Sequence, residues 1–124
     1  MKSNKLIRTI LIDDYQPIRM ELAYLLKEYP EVEIVGEAKD GKEAVQLINK
    51  LKPDVIFLDI DLPMLSGFQV LDIVPNDFKL VFISSQEKFL IKASYYNSID
   101  FLMKPINKVK LRNVIKKLLQ TDQM

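Results

Sequence analysis

Several charged side chains stand directly after short apolar runs, at the places where strands of a buried sheet would end. Asp13 and Asp14 follow the first such run, Asp59 follows the third, and Lys104 follows the last. An isolated charge is costly to bury, so charges at these places need partners. Carboxylates gathered beside an ammonium group would hold a hard divalent cation such as Mg²⁺ through their oxygens. This combination of groups suits phosphoryl transfer.

The polar residues that follow the apolar runs have different predicted roles. Asp59 is the predicted phosphoryl acceptor, because a carboxylate can form a covalent intermediate and this residue is central in the chain. Asp14 and Asp59 are predicted to bind magnesium. Lys104 would balance charge on the phosphoryl oxygens, and Ser84 would donate a hydrogen bond to one of them. For Asp61 we expect an exposed side chain and a backbone carbonyl that binds the metal.

These residues meet only if the apolar runs lie side by side. The runs predict five strands over residues 6–12, 32–36, 55–58, 80–83 and 100–103. Helical spacing of apolar residues predicts helices over 17–29, 41–52, 68–74 and 89–97, and a last one capped by Asn107. Asp40 and Glu43 predict a capping box at the second helix. The alternation of strand and helix predicts an α/β fold, a parallel sheet with helices on both faces.

In such a sheet, ligands bind beyond the carboxyl ends of the strands, near a switch in strand order. Every predicted site residue falls at that end of a strand: Asp13, Asp14, Asp59, Ser84 and Lys104. Side chains from four strands therefore converge on one rim. This convergence is the strongest functional signal in the sequence.

Composition narrows the possible chemistry. The chain has 124 residues and a formal net charge of +1, and it contains neither cysteine nor histidine. Disulfides, thiolate metal sites and histidine-based catalysis are therefore excluded. The small net charge gives no field that favours nucleic acid or membranes. No apolar stretch approaches the roughly 20 residues of a membrane span. We expect one cytoplasmic domain over residues 1–124, with 121–124 as a frayed tail or the start of a linker.

Five segments, in this order, resemble the receiver domain of two-component response regulators, the CheY-like family. They are residues 11–14, 57–63, Gly67, 83–85 and 100–105. The resemblance implies a flavodoxin-like (βα)5 fold with strand order 2-1-3-4-5, and phosphorylation of Asp59 by a sensor histidine kinase. It also implies Mg²⁺ as the cofactor and a cis peptide between Lys104 and Pro105. The implied metal ligands are Asp13, Asp14, Asp59 and the backbone carbonyl of Asp61.

The resemblance also implies how the signal leaves the site. Ser84 would move toward the phosphoryl group, and Phe101 would turn inward as the switch residue. The face formed by the fourth helix, the fifth strand and the fifth helix would then change and serve a partner, an effector or a second copy of the chain. Two departures from the family pattern are Ser85, where a smaller residue is usual, and Phe101, where tyrosine is more frequent.

Finer features resemble receivers that are attached to LytTR-type DNA-binding domains. These features are residues 29–30, 35–38, 59–61 and 77–82, together with the short interval between Ser84 and Lys104. The resemblance implies a C-terminal DNA-binding effector domain that this chain lacks. The chain is then either an excised receiver or a stand-alone one.

Three other interpretations are open at this point. Residues 59–61 also resemble the nucleophile motif of haloacid-dehalogenase-like phosphatases, but those enzymes carry their acidic pair downstream, and here it lies upstream. A receiver that has lost phosphorylation and only binds partners conflicts with the intact Asp59 and Lys104. Nucleic-acid binding would rest on the basic residues of the last helix, for which a solvated face is the better explanation. These residues are Lys108, Lys110, Arg112, Lys116 and Lys117.

Overall fold

The computed structural model describes residues 5–122, which form a five-stranded parallel sheet flanked by helices. The strands are β1 (Ile7–Ile12), β2 (Val32–Ala38), β3 (Val55–Asp59), β4 (Lys79–Ser84) and β5 (Asp100–Met103). The helices are α1 (Gln16–Leu26), α2 (Gly41–Leu51), α3 (Gly67–Ile73), α4 (Leu90–Ala93) and α5 (Lys108–Asp122), with a 3₁₀ turn at Glu87–Phe89. The strand order β2-β1-β3-β4-β5 confirms the predicted doubly wound α/β fold.

The core consists of two apolar layers, one on each face of the sheet. Ile10 and Ile12 of β1 belong to the layer that includes residues of α2, α3 and α4. Leu11, between them, belongs to the layer shared with α1 and α5. All three side chains are fully buried, and each burial contributes roughly 1.5–3 kcal/mol. Because both faces of the sheet are covered, its strands are apolar throughout rather than alternating.

Three strands extend farther at their carboxyl ends than the apolar runs predict. β2 continues to Ala38, which pairs with Ile12 of β1. β3 includes Asp59, and β4 includes Ser84. Two predicted site residues are thus held within the sheet itself, where ladder hydrogen bonds restrict their backbones.

The predicted capping box at α2 is only half formed. Asp40 accepts a hydrogen bond from the N–H of Glu43 at 2.7 Å, but the Glu43 carboxylate accepts from the N–H of Lys39 rather than that of Asp40. A complete box occurs instead at α3, where Ser66 and Gln69 exchange both hydrogen bonds. The Ser-x-x-Gln spacing carries that signal, and the prediction of this helix did not use it.

The fourth helix is much shorter than the predicted segment 89–97. α4 ends at Ala93, and the next residue, Ser94, donates its hydroxyl hydrogen bond to the carbonyl of Ile91 at 2.5 Å. Such local bonds compete with the helical backbone pattern. The following two N–H groups bond three residues back, which is 3₁₀ geometry and does not propagate an α-helix.

The first helix ends at Leu26, before the predicted end at Tyr29. The N–H groups of residues 27–29 bond three residues back, so the chain tightens into turns. Pro30 disfavours helical geometry in Tyr29, the residue before it, so the helix cannot continue through this segment.

The last helix begins as predicted and extends into the predicted tail. The side-chain oxygen of Asn107 accepts hydrogen bonds from the N–H groups of Val109 and Lys110. The helix continues to Asp122, so the first two residues of segment 121–124 are helical and the last two lie outside the described residues. Four residues of the predicted apolar face are buried and Leu119 is half-buried; the buried ones are Leu111, Val114, Ile115 and Leu118.

An aromatic cluster joins α3, β4, β5 and the segment after α4. The ring centroid of Phe82 lies 5.5 Å from that of Phe68, 6.0 Å from Tyr96 and 6.2 Å from Phe101. Phe68 stacks on Tyr96 at 5.2 Å and meets Phe89 edge-on at 6.0 Å. Phe101 is therefore in contact with a packed group of rings rather than standing alone.

Candidate functional site

The predicted site residues lie together at the carboxyl ends of four strands. Parallel pairing keeps the ends of β1, β3, β4 and β5 in step across the sheet. Asp13 and Asp14 follow β1, Asp59 ends β3, Ser84 ends β4 and Lys104 follows β5. The rim that the sequence predicts from the strand order is thus present in the fold.

One lysine reaches two buried carboxylates. Lys104 Nζ lies 2.9 Å from Asp13 Oδ2 and 3.4 Å from Asp59 Oδ2. Asp13 and Asp59 are 0% and 2% exposed, so both charges depend on this ammonium group. A backbone hydrogen bond holds the lysine in place, since the Lys104 N–H donates to the Ser84 carbonyl at 2.9 Å. The Lys104–Pro105 peptide bond is cis, as the sequence predicts.

The single ammonium group of Lys104 balances only part of the negative charge of Asp13 and Asp59. Burial raises the pKa of Asp59 to about 7, and the charge of Asp13 acts in the same direction; Lys104 and the N–H of Asp61 offset only part of this. Burial alone would lower the pKa of Lys104, but the Asp13 and Asp59 carboxylates outweigh it and raise that pKa. The centre therefore has a deficit of positive charge that a bound cation would relieve.

The donor set fits a hard divalent cation. Carboxylate oxygens of Asp13, Asp14 and Asp59 lie within 4.8 Å of one another. Asp13 Oδ1 accepts a hydrogen bond from the N–H of Tyr15 at 2.9 Å. Apart from the Lys104 ammonium, no donor among residues 5–122 reaches the buried Asp13 Oδ2. Three oxygen donors with one unsatisfied lone-pair site match the preference of magnesium or manganese for oxygen ligands.

Asp61 lies at the rim with an exposed side chain, and a residue that sequence reasoning missed holds it there. The Asp61 N–H donates to Asp59 Oδ1 at 3.2 Å. Its carboxylate accepts a hydrogen bond from Gln86 Nε2 at 2.6 Å. Gln86 follows β4, and this bond joins the loop after β4 to the loop after β3 beside Asp59. No motif marks Gln86, because the contact is between residues that are distant in sequence.

In this structure Ser84 and Phe101 make contacts outside the acidic centre. The buried Ser84 hydroxyl accepts a hydrogen bond from the N–H of Gln86 at 3.0 Å, within its own loop. Phe101 is half-buried against Phe82. Both side chains would have to reorient in order to act as the predicted switch pair.

The basic residues of α5 are partly neutralised. Lys110 and Lys117 lie 3.2 Å and 2.7 Å from the carboxylate oxygens of Asp100, and Lys108 lies 4.0 Å from Glu28. Ion pairs on an exposed helix face contribute little to stability. They do lower the positive potential that a nucleic acid would meet.

Comparison with known proteins identifies the family. The sequence matches the model of the response regulator receiver domain over residues 9–116. The chain belongs to this family. An uncharacterised response regulatory protein of Vibrio cholerae is 35% identical to the receiver over 117 residues, which are 93% of this chain and 49% of that protein. The transcriptional regulatory protein BtsR of Escherichia coli is 32% identical over 117 residues, again 93% of this chain and 49% of the relative.

Solved receiver structures share the fold. The response regulatory domain of mrkE from Klebsiella pneumoniae has a TM-score of 0.86 at 26% identity, covering 94% of this chain and 99% of that one. The response regulator domain of Thermotoga maritima CheB has a TM-score of 0.76 at 34% identity, covering 94% and 93%. Both confirm the predicted CheY-like architecture of the receiver.

Family membership makes the chain the receiver domain of a two-component response regulator, which is a signalling domain. The receiver spans about half the length of the curated relatives it matches. Within residues 5–122, no helix has the length and apolar character needed to cross a membrane.

The raised pKa of Asp59 predicts how the stability of the metal-free receiver depends on pH. The unfolded chain loses this proton near pH 4, whereas the folded receiver keeps it until about pH 7. Between these values the folded state binds more protons, so its free energy of unfolding should fall as pH rises, by up to about 4 kcal/mol from this group. Urea denaturation at several pH values, with a chelator present, measures the slope.

Asp59→Asn provides the comparison for that prediction, since asparagine does not titrate. The difference in unfolding free energy between wild type and Asp59→Asn should grow from pH 4 to pH 7 and then level off. Asp77 is exposed and precedes β4, at the end of the sheet opposite the site, so Asp77→Asn should keep the wild-type slope. Parallel pH curves for wild type and Asp59→Asn would contradict the prediction.

Proposed function

We propose that this receiver is a phosphorylation-dependent switch that accepts a phosphoryl group on Asp59 from a sensor histidine kinase. The observation that carries the proposal is one acidic centre, in which the carboxylates of the buried Asp13 and Asp59 and of the exposed Asp14 lie within 4.8 Å and the Lys104 ammonium contacts two of them. Mg²⁺ would be held there by these three aspartates and the backbone carbonyl of Asp61. A single nucleophile among metal-binding acids is the arrangement that phosphoryl transfer to a carboxylate requires.

The transfer itself exchanges one bond for another. An Asp59 carboxylate oxygen attacks phosphorus, an O–P bond forms, and the N–P bond of the donor phosphohistidine breaks with its electron pair remaining on the imidazole. Mg²⁺, when bound by the three aspartates, would supply positive charge to the phosphoryl oxygens. Lys104 Nζ, already 3.4 Å from Asp59 Oδ2, adds a positive charge beside the acceptor. Ser84, after turning from Gln86, donates a hydrogen bond to a third oxygen.

The output of the switch would leave through the face of α4, β5 and α5. Ser84 moves toward the phosphoryl group, and Phe101 turns into the space this opens. Phe101 lines a groove of about 720 Å³ on this face, together with Leu90, Val109 and residues of the β5–α5 loop. Leu90 and Val109 are exposed, so the face offers apolar surface to an effector, a partner protein or a second receiver.

The full-length context belongs to the same proposal. Because the receiver spans about half of its curated relatives, we propose that a C-terminal effector domain completes the natural protein. The sequence features shared with LytTR-type receivers favour a DNA-binding effector of that type. The receiver would work in the cytoplasm and would not itself bind nucleic acid.

Acetyl phosphate tests the proposed function without a known kinase. With magnesium present, the intact mass of the wild-type chain should increase by one phosphoryl group, and a chelator should prevent the increase. A generic phosphomonoester such as p-nitrophenyl phosphate should not be turned over. Absence of the mass increase would refute the proposal, and multiple turnover of the phosphomonoester would favour a phosphatase instead.

Metal binding is a separate prediction. At a magnesium concentration about 100-fold above Kd, the free energy of unfolding should rise by about 2.7 kcal/mol. Asp14→Asn removes one proposed ligand and should lose most of this gain at the same concentration. Asp77→Asn should keep the whole gain. Urea denaturation with and without magnesium measures both, and equal stabilisation of all three proteins would contradict the assignment of Asp14.

A further inference from the structure

One arginine ties the loop that carries the acidic pair to the neighbouring strand. Arg19, in α1, donates from Nη1 to the backbone carbonyl of Asp13 at 2.6 Å and from Nε to Glu37 Oε1 of β2 at 2.9 Å. Its side chain is only 14% exposed. We infer that Arg19 is a positioning residue for the magnesium site, which rests on the function proposed above.

The location of Arg19 is unfavourable for the helix itself. α1 begins at Gln16, so Arg19 puts a cation in the first turn, at the positive end of the helix dipole. That turn contains no acidic residue, and the N-cap residue Tyr15 makes no side-chain capping bond. A local preference that is violated in this way is typical of residues retained for a site.

The carbonyl bond fixes the orientation of the acidic pair. The carbonyl of Asp13 and the N–H and Cα of Asp14 belong to one planar peptide unit. When Arg19 holds that carbonyl, the plane is set, and with it the direction in which Asp14 leaves the strand. The N–H of Asp13 is held too, by the Ala38 carbonyl at 3.0 Å.

The backbone beside Asp14 also restrains the side chain of Asp13. Oδ1 of Asp13 accepts a hydrogen bond from the N–H of Tyr15, and Oδ2 faces Lys104 and has no other donor. The Tyr15 N–H belongs to the peptide unit that follows the one held by Arg19, so a rotation of the held unit would displace this donor. The Arg19 bond therefore helps to hold the Asp13 carboxylate as well as the direction of Asp14.

Glu37 lets a cationic side chain act this close to a cation site. Its carboxylate pairs with the guanidinium at 2.9 Å and balances the charge. Its bond to Nε also restricts rotation of the guanidinium group that donates to Asp13. The pair thus works as a neutral clamp between β2 and the β1–α1 loop.

Magnesium titration by calorimetry tests this inference. Arg19→Ala should weaken magnesium binding by about 10- to 100-fold, the range found when a group that orients a metal ligand is removed. Arg19→Lys restores one donor and should recover part of the affinity. Glu37→Gln keeps the shape of the clamp but leaves the guanidinium charge unbalanced, so it should weaken binding by a smaller factor.

Arg8→Ala is the matched control. Arg8 lies in β1, the strand that leads to Asp13, and its guanidinium also donates to a backbone carbonyl, that of Lys52, at 2.9 Å. This bond is at the opposite end of the sheet, so the variant should retain wild-type magnesium affinity. Phosphorylation of Arg19→Ala should return close to the wild-type rate once magnesium is saturating, which loss of fold would not allow.

The outcomes separate this inference from the proposed function. A wild-type chain that binds no magnesium would refute the proposed function itself. Wild-type binding with unchanged affinity in both Arg19 variants would overturn the role of Arg19. An equal loss of affinity in Arg8→Ala would also overturn it, because the effect would then come from general destabilisation.

Discussion

Replacing Asp59 with asparagine is expected to reduce phosphorylation by acetyl phosphate to background while the domain stays folded. The amide has nearly the same size as the carboxylate but lacks the negative oxygen that attacks phosphorus. Intact-mass analysis after incubation with acetyl phosphate and magnesium measures the loss.

The free energy of unfolding shows whether Asp59→Asn loses phosphorylation because of its chemistry or because of a loss of fold. Asparagine removes one of two buried carboxylates that share a single ammonium group, so Asp59→Asn should be at least as stable as wild type near pH 7. Loss of phosphorylation together with retained stability then assigns the effect to chemistry. Asp77→Asn should be phosphorylated like wild type. A phosphoryl group that still appears on Asp59→Asn would show that the acceptor is another residue.

Gly41→Ala is expected to destabilise the receiver by about 3 kcal/mol or more. A Cβ atom at this position, the first residue of α2, would lie 2.1 Å from the backbone carbonyl oxygen of Leu65. The Gly41 N–H also donates to the Pro63 carbonyl at 3.0 Å, so the two segments cannot separate without losing a hydrogen bond. Overpacking against backbone costs more than overpacking against a side chain, which can rotate away.

Gly36→Ala is the matched comparison. Its Cβ would approach Leu47 Cδ2 at 2.8 Å and Leu51 Cδ1 at 3.1 Å, which are the ends of flexible side chains. This variant should lose markedly less stability than Gly41→Ala. Urea denaturation of both variants measures the difference. Equal losses would mean that the loop before α3 yields more easily than its contacts indicate.

The sequence predicted the sheet because apolar runs of strand length are a local signal. Five such runs, separated by segments whose apolar residues have helical spacing, are compatible with few sheet topologies. The site could be predicted for the same reason. Asp13, Asp59 and Lys104 each follow an apolar run directly, so a correct prediction of the strands also locates these three residues at the carboxyl ends. No knowledge of side-chain contacts is needed for that step.

Features that depend on contacts distant in sequence could not be predicted. Gln86 reaches Asp61 across two loops, and Arg19 reaches Glu37 only because β2 lies beside β1. The requirement for glycine at position 41 comes from Leu65, which no local pattern connects to it. The short α4 has a local cause in Ser94, but the helical periodicity of the segment conceals it.

The aromatic cluster connects Asp59 to Phe101 through packing contacts, in addition to the proposed connection through Ser84. A Cβ added at Gly67 would lie 2.7 Å from the Asp59 carbonyl oxygen, so α3 starts against the strand end itself. The next residue, Phe68, packs on Phe82, and Phe82 packs on Phe101. A shift of the Asp59 backbone can therefore reach Phe101 without passing through Ser84. The proposed switch would then have two routes from Asp59 to Phe101, and removing the Ser84 hydroxyl should weaken its response rather than abolish it.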